Sequence, residues 1–125
     1  MAGYGWALLD KNGKDKNGKF VYIYELNPPI VQTVPGLAHT LERHTHSGIT
    51  KYLRKSKFNA GENVAALIAL AAPYRMVLQP SGRYARTYNA GRMIGYDSTI
   101  GTMTSLVSVI TDASGNLTTA FPGNP

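Results

Sequence analysis

The chain has 125 residues, which is enough for one domain that buries a single core without disulfides or metals as cross-links. Its 13 Lys and Arg against 7 Asp and Glu give a formal charge of +6, which favours polyanionic partners such as nucleic acid without separating RNA from DNA or from an acidic protein. The absence of cysteine excludes disulfides, thiolate chemistry and a Cys-ligated zinc site. No apolar stretch approaches the roughly 18 residues of a membrane span, so we expect no membrane segment in this domain.

Residues 1–35 have the pattern of a hairpin followed by a connector. Residues 4–9 and 20–26 are rich in aromatic and branched side chains, which predicts two strands around a solvated loop. The loop, residues 11–19, carries four lysines and is compatible either with a finger that contacts phosphate or with an ordinary exposed hairpin tip. The prolines of Asn27-Pro28-Pro29 and Val34-Pro35-Gly36 predict an irregular connector.

Helical periodicity begins after the connector and marks residues 36–72. Leu37, Leu41 and His44 fall on one face of a first helix, so His44 should point towards the surface on which the two leucines pack. His39 and His46 fall largely off that face.

Two further helices are predicted before residue 73. Ser47-Gly48 should end the first helix, and apolar residues at helical spacing begin the second at Ile49. This second helix carries Arg54 and Lys55. A third helix, residues 62–72, is rich enough in alanine and leucine to be mostly buried before Pro73 stops it.

Residues 73–123 have the pattern of a β-meander. Turn-forming residues at 80–82, 89–91, 97–101 and 112–116 separate candidate strands at 75–78, 84–88, 92–96, 105–111 and 117–121. The most hydrophobic run, residues 106–110, should be the central strand. Helices first and antiparallel strands afterwards predict an α+β domain in which the helices pack on one face of a curled sheet, with a cleft between them.

Three histidines within eight residues, His39, His44 and His46, form with the cations that follow them the densest cluster of titratable groups. Imidazole takes and gives a proton near neutral pH. Cleavage of RNA through its own 2′-hydroxyl needs a base, an acid and fixed positive charge at the phosphorane, and it requires neither a metal nor another cofactor.

Two other interpretations of these histidines stay open at this point. The pattern His-x4-His-x-His offers three nitrogen ligands for zinc. His39 and His44 would, however, lie about 140° apart on a helix of 3.6 residues per turn, and no nearby Asp or Cys completes a tetrahedron. His44 on an apolar face is also compatible with a purely structural core histidine.

The last predicted strand carries a second group of candidate residues. Alternation along it would place Thr119 and Phe121 on one face, with Thr118 and Ala120 on the other. A threonine that faces the cleft can offer its hydroxyl and its backbone N–H to a phosphate oxygen. Threonine is equally an ordinary strand residue.

Four segments together resemble a known group of bacterial toxins: GLAHTLERH at 36–44, LRK at 53–55, GRMIGYD at 91–97, and GNLTTAFP at 115–122. They are similar to the C-terminal toxin domains of contact-dependent growth inhibition systems and related polymorphic toxins. The bacterial ribonuclease A-like group is the nearest match and EndoU-type toxins come second. The resemblance covers roughly residues 36–123 and implies a ribonuclease A-like, BECR-type fold.

The resemblance also implies roles for individual residues. The second histidine of HTLERH, His44, would be catalytic, and a cation about one helix later, Arg54 or Lys55, would stabilise the phosphorane. The strand threonine would be Thr119. In the ribonuclease A-like group a tyrosine commonly follows two positions later, and here Phe121 takes that place, which removes a hydroxyl and leaves stacking on a base.

If that tyrosine supplies the proton in the family, another group must serve in this chain, and His39, His46 and Tyr96 are the candidates. Thr118, Arg92 and Tyr96 join Phe121 as candidate substrate-binding residues. No metal ligand is expected among them.

The resemblance implies a function for residues 1–125 as a single toxin domain. It would cleave RNA, with tRNA as a candidate, and leave a 2′,3′-cyclic phosphate. It would be secreted as the C-terminal part of a larger toxin and would act in the target-cell cytoplasm. The expected partner is an immunity protein, which should be acidic because the toxin is cationic, and which should cover the cleft near His44.

Two other functions remain compatible with the sequence. The chain can be a non-catalytic nucleic-acid-binding module that uses the loop of residues 11–19 and tyrosines such as Tyr84 and Tyr88. It can also be a structural fragment of a larger secreted protein.

Overall fold

A computed structural model describes residues 27–46 and 54–125. Within this part of the chain the elements are, in order, α1 (Val34–His44), β1 (Lys57–Phe58), α2 (Val64–Ala69), β2 (Val77–Leu78), β3 (Tyr84–Asn89), β4 (Gly95–Asp97), β5 (Thr102–Thr104), β6 (Leu106–Thr111) and β7 (Leu117–Pro122). The α+β class is confirmed at this coarse level, with sheet predominating. The predicted hairpin of residues 4–26 and the start of the predicted second helix lie outside the described residues. The prediction is wrong for the described part of that helix, because residues 54–58 form a turn followed by β1, which pairs with β4.

The described strands form two antiparallel sheets, with strand orders β2-β3-β6-β7 and β1-β4-β5. β6 lies between β3 and β7, so the prediction of a central strand at residues 106–110 is confirmed. The prediction of one meander is wrong, because β4 and β5 leave the larger sheet and pair with β1. Phe58 of β1 is the Cα partner of Gly95, so β4 pairs with a strand that lies far upstream in the sequence.

Several element boundaries also differ from the sequence-based prediction. The strand expected at 75–78 is reduced to Val77–Leu78, and the strand expected at 92–96 begins at Gly95. β5 was not predicted at all and follows directly on the expected turn at 97–101. Helix α2 is shorter than the predicted 62–72, because the Asn63 side chain accepts from the Ala66 N–H at 3.1 Å and begins the helix after itself.

The core lies between α2 and one face of the larger sheet. It contains Phe58, Val64, Leu67, Ile68, Ala71, Tyr88, Ile94, Val107, Val109, Leu117 and Ala120. The hydroxyl of Tyr88 donates to the Leu67 carbonyl and so joins β3 to α2. Tyr88 is therefore a core residue, which removes it from the tyrosines that a nucleic-acid-binding module can stack on bases.

Helix α1 lies against β7, the edge strand of the larger sheet. The helix begins after Thr33, whose hydroxyl oxygen accepts from the Gly36 N–H at 3.1 Å. A Cβ on Gly36 would come within 2.8 Å of the Leu117 carbonyl carbon, so only glycine allows this close approach. One turn later the Thr40 hydroxyl donates to the Gly36 carbonyl at 2.9 Å and accepts from the Ala120 N–H at 3.1 Å.

These contacts correct the predicted orientation of the first helix. Its buried face is formed by Gly36, Thr40 and His44, whereas Leu41 is 41% exposed. Leu37 packs against the core as predicted, so the prediction is wrong for Leu41 alone. The helix also ends at His44, three residues before the predicted Ser47.

Thr40→Val is expected to lower the free energy of unfolding by about 1–3 kcal/mol, because it keeps the shape but leaves the buried Ala120 N–H without an acceptor. Urea unfolding followed by circular dichroism measures this. Thr40→Ser retains the oxygen and serves as the control. Equal stability of Thr40→Val and the wild type would contradict the role assigned to this hydroxyl.

None of the helices in the described residues has the length and apolar character needed to cross a membrane.

Candidate active site

His44 is the last residue of α1. Its side chain lies between the start of β1 and β7. The side chain is buried, with 8% exposure. The imidazole ring packs against Phe121 of β7, with ring centroids 5.6 Å apart and planes inclined by 46°. The sequence prediction that His44 points inward is confirmed, although the surface it faces is the edge of β7.

The hydrogen bond of the His44 ring fixes its tautomer. Nδ1 lies 2.8 Å from the backbone carbonyl oxygen of Ser56. Because a carbonyl oxygen can only accept, Nδ1 must carry the proton in this bond. The neutral ring therefore keeps its lone pair on Nε2, which is the nitrogen able to take a proton from a substrate.

Ser56 is itself held in place by the turn after β4. Its hydroxyl oxygen accepts from the Ser98 backbone N–H at 2.9 Å, and the two hydroxyl oxygens lie 3.1 Å apart. The carbonyl that orients the ring is thus fixed by the smaller sheet, and a disturbance at Ser98 would be transmitted to His44.

Burial lowers the pKa of His44 from 6.5 to about 4. The hydrogen bond to Ser56 opposes this shift, whereas the nearby charges of His39, Lys57 and Lys55 add to it. At neutral pH the ring is therefore uncharged, and its Nε2 carries no proton. In the free protein it is a poor proton donor.

The same shift predicts a pH dependence of stability. Between pH 6.5 and about 4 the unfolded chain binds a proton that the folded chain excludes, so the free energy of unfolding should fall as the pH is lowered through this window. The expected loss is about 3 kcal/mol. Above pH 6.5 this group should contribute no pH dependence.

The measurement is urea unfolding at pH 7 and at pH 4 for the wild type and for His44→Asn. The asparagine amide can still donate to the Ser56 carbonyl but does not titrate, so the difference between the two pH values should be smaller by about 3 kcal/mol in the variant. The same difference in both proteins would show that His44 is not the group responsible.

Three cations near this site differ in burial. Arg54 and Lys55, the two predicted cations, are exposed. Lys55 is nonetheless close enough for its charge to lower the pKa of both His39 and His44. Lys57 is buried, with 8% exposure, and its Nζ donates to the Arg43 carbonyl at 2.8 Å.

Lys57 and Ser56 were not singled out by the sequence. Lys57 is one of four cations in residues 51–57, and nothing local distinguishes the buried one. Burial lowers the pKa of Lys57, and its charge in turn acts on His44.

Of the residues predicted on β7, Phe121 contacts the His44 ring, and Thr119 lies on the same face of the strand. Thr119 and Phe121 are the Cα partners of Ile110 and Ser108 on β6, so their side chains share one face, about 7 Å apart along the strand. The Thr119 Oγ1 is buried and has no hydrogen-bond partner among the described residues. Thr118 lies at an irregularity of the β6–β7 register and is half-buried.

The candidate proton donors occupy different positions. His39 is half-buried on α1, where burial and the charge of Arg43 lower its pKa. His46 is exposed beyond the end of α1. Tyr96 is the Cα partner of Lys57, so both side chains lie on the same side of the smaller sheet, and Tyr96 is 42% exposed.

Arg92, a predicted substrate-binding residue, lies in the loop before β4. It forms a two-point ion pair with Glu62, with N–O distances of 2.5 Å and 2.7 Å. The Arg92 guanidinium is thus paired with Glu62, and it makes no contact with the His44 ring among the described residues.

In the described ranges 27–46 and 54–125, no three His, Cys, Asp or Glu side chains gather into a group able to hold a metal ion.

Comparison of this chain with protein-family models, with curated proteins and with solved structures found no match. The toxin resemblance therefore rests on the motifs quoted above.

Proposed function

We propose that this domain is a toxin ribonuclease that cleaves RNA without a metal, with His44 as the general base. The observation that carries the proposal is the hydrogen bond from Nδ1 to the Ser56 carbonyl, which leaves Nε2 unprotonated at neutral pH.

The proposed reaction is an internal transfer. His44 Nε2 takes the proton of the ribose 2′-hydroxyl, and the 2′-oxygen attacks the adjacent phosphorus. The bond from phosphorus to the 5′-oxygen breaks, and that oxygen receives a proton as it leaves. The products are a 2′,3′-cyclic phosphate and a 5′-hydroxyl, and no water is consumed in this step.

The negative charge that develops on the phosphoryl oxygens needs preorganised donors. The ammonium groups of Lys57 and Lys55 supply charge, and the Thr119 hydroxyl supplies a hydrogen bond. A buried hydroxyl without a hydrogen-bond partner lowers stability by about 1–3 kcal/mol. A phosphate oxygen of bound RNA would be the missing partner of the Thr119 hydroxyl.

We assign the leaving-group proton to Tyr96. Its side chain lies on the side of the smaller sheet that also carries Lys57, and its phenolic hydroxyl is a hydrogen-bond donor. His39 serves this role less well, because its lowered pKa leaves it neutral at pH 7.

The test is incubation of the purified protein with RNA in the presence of EDTA. Cleavage should persist, the products should carry 2′,3′-cyclic phosphate ends, and an oligonucleotide with a 2′-deoxy sugar at the cleavage position should stay intact. Cleavage of the deoxy substrate, or loss of cleavage in EDTA, would overturn the mechanism.

Lys57→Met is expected to lower the rate of RNA cleavage by about 10- to 100-fold, because it removes the buried charge beside His44. Lys55→Met serves as the matched comparison and should have a smaller effect, since its ammonium is exposed to water. Circular dichroism shows whether each variant folds. A larger loss of cleavage rate in Lys55→Met than in Lys57→Met would show that Lys55, which the resemblance implies, is the main cation at the site.

The wider role follows from the resemblance and the charge. We propose that the domain is delivered as the C-terminal part of a larger secreted toxin into the cytoplasm of a target cell, where tRNA is a candidate substrate. The partner would be an acidic immunity protein that covers the cleft at His44, and its association rate should fall as salt is raised.

A further inference from the structure

A groove lies beside the proposed catalytic site, at the junction of α1 and α2. It has a volume of about 420 Å³. Leu41, Thr45 and His46 form the wall on the side of α1, and Asn59, Ala60, Gly61, Glu62 and Val64 form the wall on the side of α2. His44 does not itself line the groove, but Thr45, the next residue in the chain, does.

The chemistry of the groove is mixed in a way that suits a flat polar ring. Leu41, which is 41% exposed, and Val64 offer apolar surface for the face of a ring. His46, Asn59 and Glu62 place hydrogen-bonding groups around it.

The Glu62 carboxylate is preoriented for this purpose. Both of its oxygens accept from Arg92, at 2.5 Å and 2.7 Å, and its side chain is 12% exposed whereas that of Arg92 is 59% exposed. Each carboxylate oxygen can accept a second hydrogen bond. The ion pair therefore fixes the carboxylate without using up its capacity to accept.

We propose that this groove, formed between Leu41, Asn59 and Glu62, binds the base of a nucleotide next to the cleaved phosphate and selects guanine. This proposal rests on the proposed ribonuclease function. Guanine is the base that offers both an imino and an amino N–H on its Watson–Crick edge, so it satisfies a carboxylate acceptor best.

The occupant is a nucleobase and not a protein segment, for two reasons. The volume lies near the lower end of the range for small-molecule pockets and suits one base with its sugar. The groove also includes Thr45, the residue after His44, so a nucleotide next to a phosphate held at that ring would be near it, and unstacked bases are the parts of single-stranded RNA that proteins read.

The experiment is cleavage of a random-sequence RNA pool, followed by sequencing of the product ends. The wild type should show guanine enriched at one position next to the cut, by about 5- to 150-fold over other bases. Glu62→Gln should reduce that enrichment at least tenfold. Leu41→Arg, an exposed position on a helix, should fill the groove and flatten the preference as well.

Arg92→Gln is the matched control, because it breaks the same ion pair but leaves the carboxylate in the groove. It should keep a measurable guanine preference, which separates loss of the acceptor from loss of the pair. Cleavage with no base preference beside the cut, a preference for another base, or a guanine preference unchanged in Glu62→Gln would overturn the groove assignment while leaving the ribonuclease intact. Absence of all cleavage by the wild type would instead overturn the proposed function.

Discussion

Replacement of His44 by asparagine is expected to lower the rate of RNA cleavage by about 10²- to 10⁴-fold, which is the usual contribution of a positioned general base. The asparagine amide can reproduce the Nδ1–H donor and keep the hydrogen bond to the Ser56 carbonyl, but it has no counterpart of the basic Nε2. The variant thus separates the structural role of the ring from its chemical role. Cleavage is measured at pH 7 with EDTA present.

His44→Ala provides the comparison. It should lose cleavage to the same extent and should be less stable than His44→Asn, because the buried Ser56 carbonyl loses its donor. A rate for His44→Asn close to that of the wild type would show that Nε2 takes no part in the reaction, whatever the alanine variant does.

The pH dependence of RNA cleavage is an independent test of His44 as the general base. Because burial holds the pKa of His44 at about 4, the acidic limb of kcat/KM should lie well below the ordinary value of 6.5. An acidic limb near 6.5 would assign the base to a more exposed histidine.

Arg86→Ala is expected to lower the free energy of unfolding by about 3–5 kcal/mol, the largest stability effect predicted for this chain. Arg86 is fully buried on β3, on the core face of the larger sheet. Its guanidinium donates to the Ala72 carbonyl at 3.0 Å and to the Pro28 carbonyl. One side chain therefore joins the connector, the end of α2 and the sheet.

Arg86→Met is the matched variant, because it retains most of the volume and loses both hydrogen bonds. It should cost less than Arg86→Ala, since both variants lose the charge and the hydrogen bonds but methionine leaves a smaller cavity. Urea unfolding of both variants gives the comparison. A decrease of less than about 1 kcal/mol in the free energy of unfolding of Arg86→Ala would show that Arg86 does not hold these three parts of the structure together.

Much of the local structure could be predicted from the sequence. The strands β3, β6 and β7 begin within one residue of their expected positions, because turns and periodicity are local signals. Helix α1 begins at Val34, inside the expected connector, because Thr33 caps it and a proline fits the first turn of a helix. The buried face of α1 could not be predicted, because contact with Leu117 and Ala120 selects it, and both residues lie about 80 positions away. The pairing of β4 with β1 is non-local in the same way.

The candidate site was predicted in part. His44 and Thr119 were singled out by their motifs, and the structure places His44 against Phe121, two residues after Thr119. Lys57 could not be distinguished from its cationic neighbours, because burial is a property of the folded chain. Leu41 was expected in the core and instead lines a groove, since the close approach at Gly36 turns the helix.

The contact between α1 and β7 constrains the order in which the elements of this domain fold. The Thr40 hydroxyl and the Ala120 amide are separated by 80 residues, so the helix cannot dock before the last strand has been synthesised and paired. Closing so long a loop costs entropy before any contact repays it. The contact of the His44 ring with Phe121 therefore forms late in folding, and on the proposed function partly folded chains should not cleave RNA.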